Sequence, residues 1–513
     1  MHFDKLSLLN GLHRASISVI DEIVAGSAEL EGSDIKRKDS MDTPLAWAAG
    51  NGHEEVVREL LRRDDIDPDR PGAAGETPLL RAARNGHSGV VKMLLGRNDV
   101  DPNKSNEDGE VPLMSAALNG RAGVVKMLLE RDDIDPDQPN EDGQTPLLLA
   151  AHNGHEGVAK ILLGRDDVNP NKPDEDGETP LLLAVQNGHE ALVKLLLGKG
   201  EVDPDKPNKE GQTPLYYAAW AGYEGVVEML LRRDDVNPNK PDEGGRTPLY
   251  CSARNGHERV VEMLLGRGDI DPDKPNEDGQ TPLLLAAYNG HEGVAKMLLE
   301  RDDVNPNKPD EDGEVPLMSA AQNGHEGVVK LLLGRGDINP DELGADGQTP
   351  LLLAACGGHE EVVEMLLRRA DVDPNKPNED GELPLMSAIW SGHERVVKVL
   401  LSRDDIDPNM PNEDGQTPLS LAACGRNERV VKMLLGRNDI DPNKPGEDGQ
   451  TPLLQAARSG REGVVKILLG RDEVNPDEPD SLGRTPLWWA TENGHAGVIA
   501  LLQPPTSATH GTA

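Results

Sequence analysis

The sequence predicts an all-α solenoid, built from short helix pairs stacked one repeat on the next. Three observations predict it. A Thr-Pro-Leu tripeptide, or a close variant, begins at 43, 77 and 111 and at every 34th residue on to 485, giving fourteen copies in one phase. Hydrophobic residues make up 36% of the 513 and aromatics only 2%, too few for large single cores. Glycine (55) and proline (40) are plentiful, so turns must be frequent.

One copy, DEDGETPLLLAVQNGHEALVKLLLGKGEVDPDKP from Asp174 to Pro207, justifies each element in order. Thr179 suits a helix N-cap and Pro180 the first helical position. Leu181, Leu182 and Leu183 lead into Ala184 and Val185, small enough for neighbouring helices to approach closely. Gly188 is placed to end this helix in a left-handed turn. His189 opens a second helix, apolar at Leu192, Val193, Leu196 and Leu197. A solvated loop rich in Asp and Pro follows. Helices of roughly nine residues do not persist alone, so each must stack on its neighbour.

These residues resemble the ankyrin repeat over about residues 38 to 502: an Asp-Gly turn, Thr-Pro-Leu, two Ala-like positions, Gly-His, then paired Val and Leu. The near-identical copies resemble arrays common in filamentous fungi. The resemblance implies antiparallel helix pairs, hairpin or loop fingers projecting sideways, and binding of proteins. The expected organisation is a degenerate N-terminal cap over 1–42, fourteen repeats over 43–502 and a disordered tail over 503–513.

The chain departs from the family pattern in places. The period is 34, against the family's usual 33, with prolines such as Pro170 and Pro173 in the longer finger, which is expected to be more rigid. The family's His after Thr-Pro-Leu is absent from every copy. Val111, Val315 and Leu383 replace the Thr, each losing an N-cap worth about 1 kcal/mol. The glycine nine residues after Thr gives way once, to Arg426, which marks repeat 12 as a soft point.

The formal net charge is −39, from 92 acidic and 53 basic residues. That field repels nucleic acid and anionic membranes, and any charge-steered partner should carry a basic segment. Cys251, Cys356 and Cys424 are too far apart for a disulfide framework or a zinc motif. No signal peptide is apparent, and no window approaches the ~18 apolar residues of a membrane span. The expectation is a soluble monomer of the cytoplasm or nucleus.

Motifs for catalysis are missing. Ten histidines fill the Gly-His site, among them His155, His189 and His325. Stacked repeats hold them too far apart to share a metal, so each is expected to fix the turn between its own two helices. The loop DDIDPDQPNEDG spaces Asp133, Asp135 and Asp137 like calcium ligands, but Gln138 and Gln144 stand where an EF-hand needs Gly and Glu. The solvated-loop reading is preferred. No phosphate loop or nucleophile elbow occurs. No enzyme activity, cofactor or metal is expected.

Position seven after the Thr site varies most, with nine residue types in fourteen copies. In the family this position faces the concave groove. His152, Gln186, Trp220, Arg254, Tyr288 and Trp390 occupy it and are the candidate partner-binding residues. Trp, Tyr and Arg are enriched at interface hot spots, though variation also fits drift on a free surface. In GQTPLYYAAWAGYEGVV, Trp220 takes this position. Tyr216 and Tyr217 are expected to be half buried, and Tyr223 to substitute structurally for the Gly-His histidine. Glu-Asp precedes the finger glycine in eight repeats, as at Glu141-Asp142, and the row breaks at Lys209-Glu210 and Glu243-Gly244. It reads either as a solvated acidic surface or as an acidic ladder that steers a partner. The leading expectation is a non-enzymatic protein-binding scaffold. The alternative is a regulatory or targeting subunit that recruits proteins to a separate enzyme, with residues 1–42 as a second docking surface.

Overall fold

The structure, a computed structural model, describes residues 42–425, 427–446 and 448–503. Except for Asp42 and Gln503, the expected N-terminal cap and C-terminal tail lie outside these residues, as does Arg426. The described residues form 28 α-helices, paired from Pro44 to Leu502, and no strand. Contacts divide the chain into two units, Met1–Asn237 and Pro238–Ala513. The first holds six helix pairs and the second eight. Within each unit, first helices pack on first helices of the next repeat and second helices on second helices.

Local chemistry sets each helix. Thr179 Oγ1 accepts the backbone N–H of Leu182 at 3.2 Å, and Pro180 opens the helix Pro180–Gln186. Gly188 has φ 69°, the left-handed turn that lets Glu190–Leu197 run back. Leu181, Leu182, Ala184, Leu192, Val193 and Leu196 are buried, so each repeat adds a small core packed against its neighbours within the unit. In repeat 12 the turn differs: Gly425 is extended, with φ −70° and ψ −175°.

Val111, Val315 and Leu383 make no side-chain cap bond, as the sequence implies. All three are buried. Burying such a side chain contributes about 1.5–3 kcal/mol, enough to offset a lost cap of about 1 kcal/mol.

The histidines correct an expectation, because they do not brace the turn of their own repeat. His155 Nε2 donates to the Leu118 carbonyl at 2.9 Å, His189 Nε2 to His152 at 3.0 Å and His325 Nε2 to Tyr288 at 2.9 Å. Each binds the position-seven carbonyl of the preceding repeat. The physical reason is that the last carbonyls of a helix lack intrahelical donors. Arg121 and Arg461 do the same through Nε, to Arg84 at 3.0 Å and Cys424 at 2.9 Å. Tyr223 fills the site as expected of a substitute: a Cβ on Gly188 would lie 3.3 Å from its ring.

Two further ties recur. Arg131 binds both oxygens of Asp133, at 2.9 and 2.6 Å, while its Nη1 donates to the Leu95 carbonyl of the preceding repeat at 3.3 Å. Arg165 and Arg301 repeat this clamp on Asp167 and Asp303. Each finger closes on itself, with Asn140 N–H donating to Gln144 O at 3.0 Å and Gln144 N–H to Asn140 Oδ1 at 2.7 Å. Finger tips also bond in series, Glu175 N–H to Asp142 O at 3.2 Å.

Candidate partner-binding groove

Position seven sits at the end of each first helix, where the chain turns back. In most of the described repeats its carbonyl is held by a histidine or arginine of the next repeat, while its side chain stays outside the packed seam. His152 and Arg254 are exposed, and Gln186 is half-buried. Trp220 is 55% exposed, Tyr288 49% and Trp390 80%. Exposed aromatics of this size, in a chain with 11 aromatics altogether, make the position stand out.

The other aromatics around Trp220 belong to packing. Tyr216 is only 6% exposed, more buried than expected, and its backbone N–H donates to the capping Thr213 Oγ1 at 3.1 Å. Tyr217 is half-buried, meets Tyr216 edge to face at 5.8 Å and gives its hydroxyl to Gln212.

Side chains at position seven reach toward the base of the fingers. Gln186 Nε2 donates to Glu178 Oε1 at 3.1 Å, Arg84 pairs with Glu76, and Arg458 Nη1 reaches Gln450 Oε1 at 3.4 Å. The residue just before the Thr site therefore backs position seven. Burial raises the carboxyls of Glu178 and Glu314 above the usual range, against the opposing amides of Asn208 and Gln186 at Glu178 and the Ser319 hydroxyl at Glu314.

Arg254 and Tyr288 are brought together. They line one cavity of about 330 Å³ with Arg246, Tyr250, Asp278 and Glu314. Arg246 is engaged with the buried Asp242 at 2.6 Å. Burial pushes the Tyr250 phenol up, against the pull of Arg254, and its hydroxyl donates to Gln280 Oε1 at 3.1 Å. Trp390 borders a different cavity, of about 250 Å³, with Cys356, Glu382, Met386, Asp414 and Leu421. A larger hollow of about 590 Å³ adjoins it, lined by Gly425 and by Asn427, which stands at the usual histidine site. His152, Gln186 and Trp220 lie in the first unit, apart from the three candidates in the second.

Sequence reasoning named Trp390 but missed its cavity. The signal was present: the helix Pro418–Cys424, which leads into the irregular AACGRNERVV of repeat 12, packs on the helix that ends at Trp390. Asn427 turns to its own helix, accepting from Arg429 and Val430 N–H at 3.2 and 3.3 Å.

Stacked helix pairs with an exposed, varied position between packed seams and acidic fingers define a repeat scaffold that presents a surface. The family model for ankyrin repeats (3 copies) matches residues 12–106, 88–174, 166–242, 234–310, 268–342, 317–412, 370–446 and 419–510. The chain belongs to the ankyrin-repeat family. No curated protein matches it. Ankyrin repeats generally mediate protein–protein interaction, and proteins built from them are typically non-enzymatic scaffolds. Among the described residues no helix is long and apolar enough to cross a membrane.

Proposed function

We propose that this chain is a binding scaffold whose partners lie along position seven, with Trp220, Arg254, Tyr288 and Trp390 as anchors and His152 and Gln186 as flanking contacts. The observation that carries the reading is the contrast within each first helix. Most residues before position seven are buried, yet among the described residues three of the four exposed aromatics stand at it, Trp220, Tyr288 and Trp390; the fourth, Trp488, belongs to the last helix pair. Large aromatics and arginine held by a rigid frame cost little ordering entropy on binding, which is how hot spots gain affinity. Exposed finger acids such as Glu141, Asp142, Glu277 and Asp278 would draw a basic segment toward the same edge.

The test compares proteins retained by the intact chain with those retained by a Trp220→Ala, Arg254→Ala, Tyr288→Ala, Trp390→Ala variant. Specific loss of partners at an unchanged melting curve supports the reading. An unchanged set of partners contradicts it. The targeting-subunit alternative depends on residues 1–42, of which only Asp42 is described. A pull-down with and without that segment separates the two.

A further inference from the structure

We propose that the groove of repeats 11 and 12 receives a protein segment in which a lysine or arginine adjoins an aliphatic or aromatic side chain. This rests on the scaffold reading above and gives it an address and a ligand chemistry. The cavity of about 250 Å³ has Trp390 as a wall and Met386 and Leu421 as its apolar lining. Trp390 is 80% exposed while Met386 is buried, so a hydrophobic base lies beside an aromatic face open to solvent. Glu382 and Asp414 are exposed on the same cavity, and no lysine or arginine is among its described lining residues. The cavity of Arg254 and Tyr288 mixes both signs, with Arg246 and Arg254 against Asp278 and Glu314. Of these two, the Trp390 cavity is the one lined by acids without a base, and the acid-lined cavity of Asp312, Glu314 and Asp346 has no aromatic wall among its described residues. An indole face attracts ammonium and guanidinium groups, and paired carboxylates add a Coulombic hold without a competing internal base. The apolar neighbour fills the space over Met386 and Leu421, which supplies the non-ionic part of the affinity.

The experiment uses the full chain and three fluorescein-labelled peptides: one alternating Lys/Arg with Leu/Ile, one with Glu replacing the basic residues, and one with Ser replacing the apolar ones. Fluorescence anisotropy is read for the natural sequence, Trp390→Ala, the Glu382→Gln/Asp414→Asn pair, and the Arg254→Ala/Tyr288→Ala pair. The expected result is binding of the basic–apolar peptide alone, weakened about tenfold by Trp390→Ala. The Glu382→Gln/Asp414→Asn pair should also weaken it and flatten its salt dependence. Loss confined to the Arg254→Ala/Tyr288→Ala pair overturns this address while leaving the scaffold reading intact. Loss in none of the variants overturns both. Equal binding of the serine-substituted peptide overturns the apolar half of the proposal.

In the loop after each second helix, the residue following the first proline is aspartate or asparagine, alternating from Asp69 to Asn375 before Asn409 and Asn443 break the alternation, and this row carries a separate inference. Asn171 Oδ1 accepts the Asp203 N–H at 2.8 Å, and its Nδ2 donates to the Glu201 carbonyl at 2.6 Å. Asn375 and Asn409 repeat both bonds one repeat onward. Asp69 and Asp137 keep the first bond, accepting through Oδ2 from Asp101 and Asn169 N–H at 2.7 and 2.6 Å. Their Oδ1 atoms, and that of Asp273, are buried with no hydrogen-bond partner. The shared register puts Oδ1 where the asparagine amide nitrogen stands, so an oxygen faces a carbonyl oxygen.

We infer that Asp69, Asp137 and Asp273 act as proton-operated clasps between repeats. A proton taken from solvent onto Oδ1 forms the missing donor, and the carboxyl then bonds the next repeat as asparagine does. The charged groups facing them are few: Lys104, Asp101 and Asp67 at Asp69; Lys172, Asp135 and Asp167 at Asp137; Lys308 and Asp271 at Asp273. Lys172 Nζ donates to the Asp137 carbonyl at 2.7 Å and Lys308 Nζ to that of Asp273 at 2.8 Å, and Lys308 also pairs with the other carboxylate oxygen of Asp273, Oδ2, at 3.7 Å. Desolvation raises all three carboxyls above the usual range. A raised folded-state value means stability that is full below the unfolded value of about 3.9 and lost as pH rises through the folded one.

The test is thermal melting of the full chain at pH 7.5 and at about pH 4, close to the unfolded carboxyl value, in the natural sequence, in Asp69→Asn/Asp137→Asn/Asp273→Asn, and in a control, Asp142→Asn/Asp312→Asn/Asp380→Asn, at exposed finger tips. The clasp variant should melt higher at pH 7.5 and gain less on acidification than the natural chain. The control should keep the natural gain. An unreduced gain in the clasp variant, or an equal reduction in the control, overturns the inference.

Discussion

The grooves of repeats 7–8 and 11–12 are built on one frame and end with different chemistry. Around Tyr288 the frame is complete. His325 holds the Tyr288 carbonyl at 2.9 Å, and Gly290 makes its left-handed turn under the His325 ring. Around Trp390 the frame slips. Asn427 caps its own helix, Gly425 is extended, and nothing lies within 4 Å of where a Cβ on Gly392 would project. The complete site holds a half-exposed tyrosine between charges of both signs. The slipped site holds a far more exposed tryptophan between carboxylates. Within one repeat family, then, a lapse in the packing positions opens room beside a variable position.

The largest effect that breaks this comparison is at the two glycines. Gly290→Ala should cost about 2–3 kcal/mol, since the left-handed φ strains alanine and the His325 ring must swing off its carbonyl. Gly392→Ala should cost only the backbone strain, about 1–2 kcal/mol. Denaturant unfolding of both chains checks the order, and equal costs would remove the distinction between the sites. Next comes Trp390→Ala, expected to lower affinity for a basic–apolar peptide about tenfold, while Tyr288→Ala changes it little. His325→Ala should lose about 1 kcal/mol, one hydrogen bond to a helix-end carbonyl, as read by the unfolding midpoint.

The smallest effect is a change of sign with pH. Arg131 and Arg165 hold the carboxyls of Asp133 and Asp167 below the usual range by direct hydrogen bonds. Depressed folded values mean stability that is present above about pH 3.9 and lost as pH falls through the folded values. Melting temperature should therefore rise as pH falls toward the unfolded carboxyl value of about 3.9, through the aspartate clasps, and fall at lower pH as the arginine clamps release. A monotonic profile would show that one of the two sets does not titrate as described.

Much of this fold was legible because the repeat frame imposes strong local rules. Thr179, Pro180 and Gly188 announce a capped helix and its left-handed end from short-range chemistry alone. Contacts between repeats were less legible. The histidine bridge joins a ring to a backbone carbonyl 37 residues back, and no side-chain identity marks that partner. Tyr216 was misjudged for a related reason: burial in a solenoid depends on the neighbouring repeat as much as on its own. Arg131 and Asp133 stand two residues apart in plain view, yet their tie to the Leu95 carbonyl emerges only from stacking. The variable position could be found by comparing copies. The slipped turn that opens a cavity beside Trp390 could not, because it depends on where Gly425 and Asn427 go once the left-handed glycine is displaced.

The central claim is that position seven serves binding and the rest of the repeat serves the frame. The most direct measurement is made on one variant carrying alanine at His152, Gln186, Trp220, Arg254, Tyr288 and Trp390, with circular-dichroism melting and peptide anisotropy recorded on the same preparation. The prediction is a melting temperature within a few degrees of the natural chain and loss of binding, since the five exposed substitutions each cost about 0.5 kcal/mol or less and half-buried Gln186 loses one hydrogen bond, about 1 kcal/mol. A large fall in melting temperature, or retained binding at an unchanged melt, would contradict it.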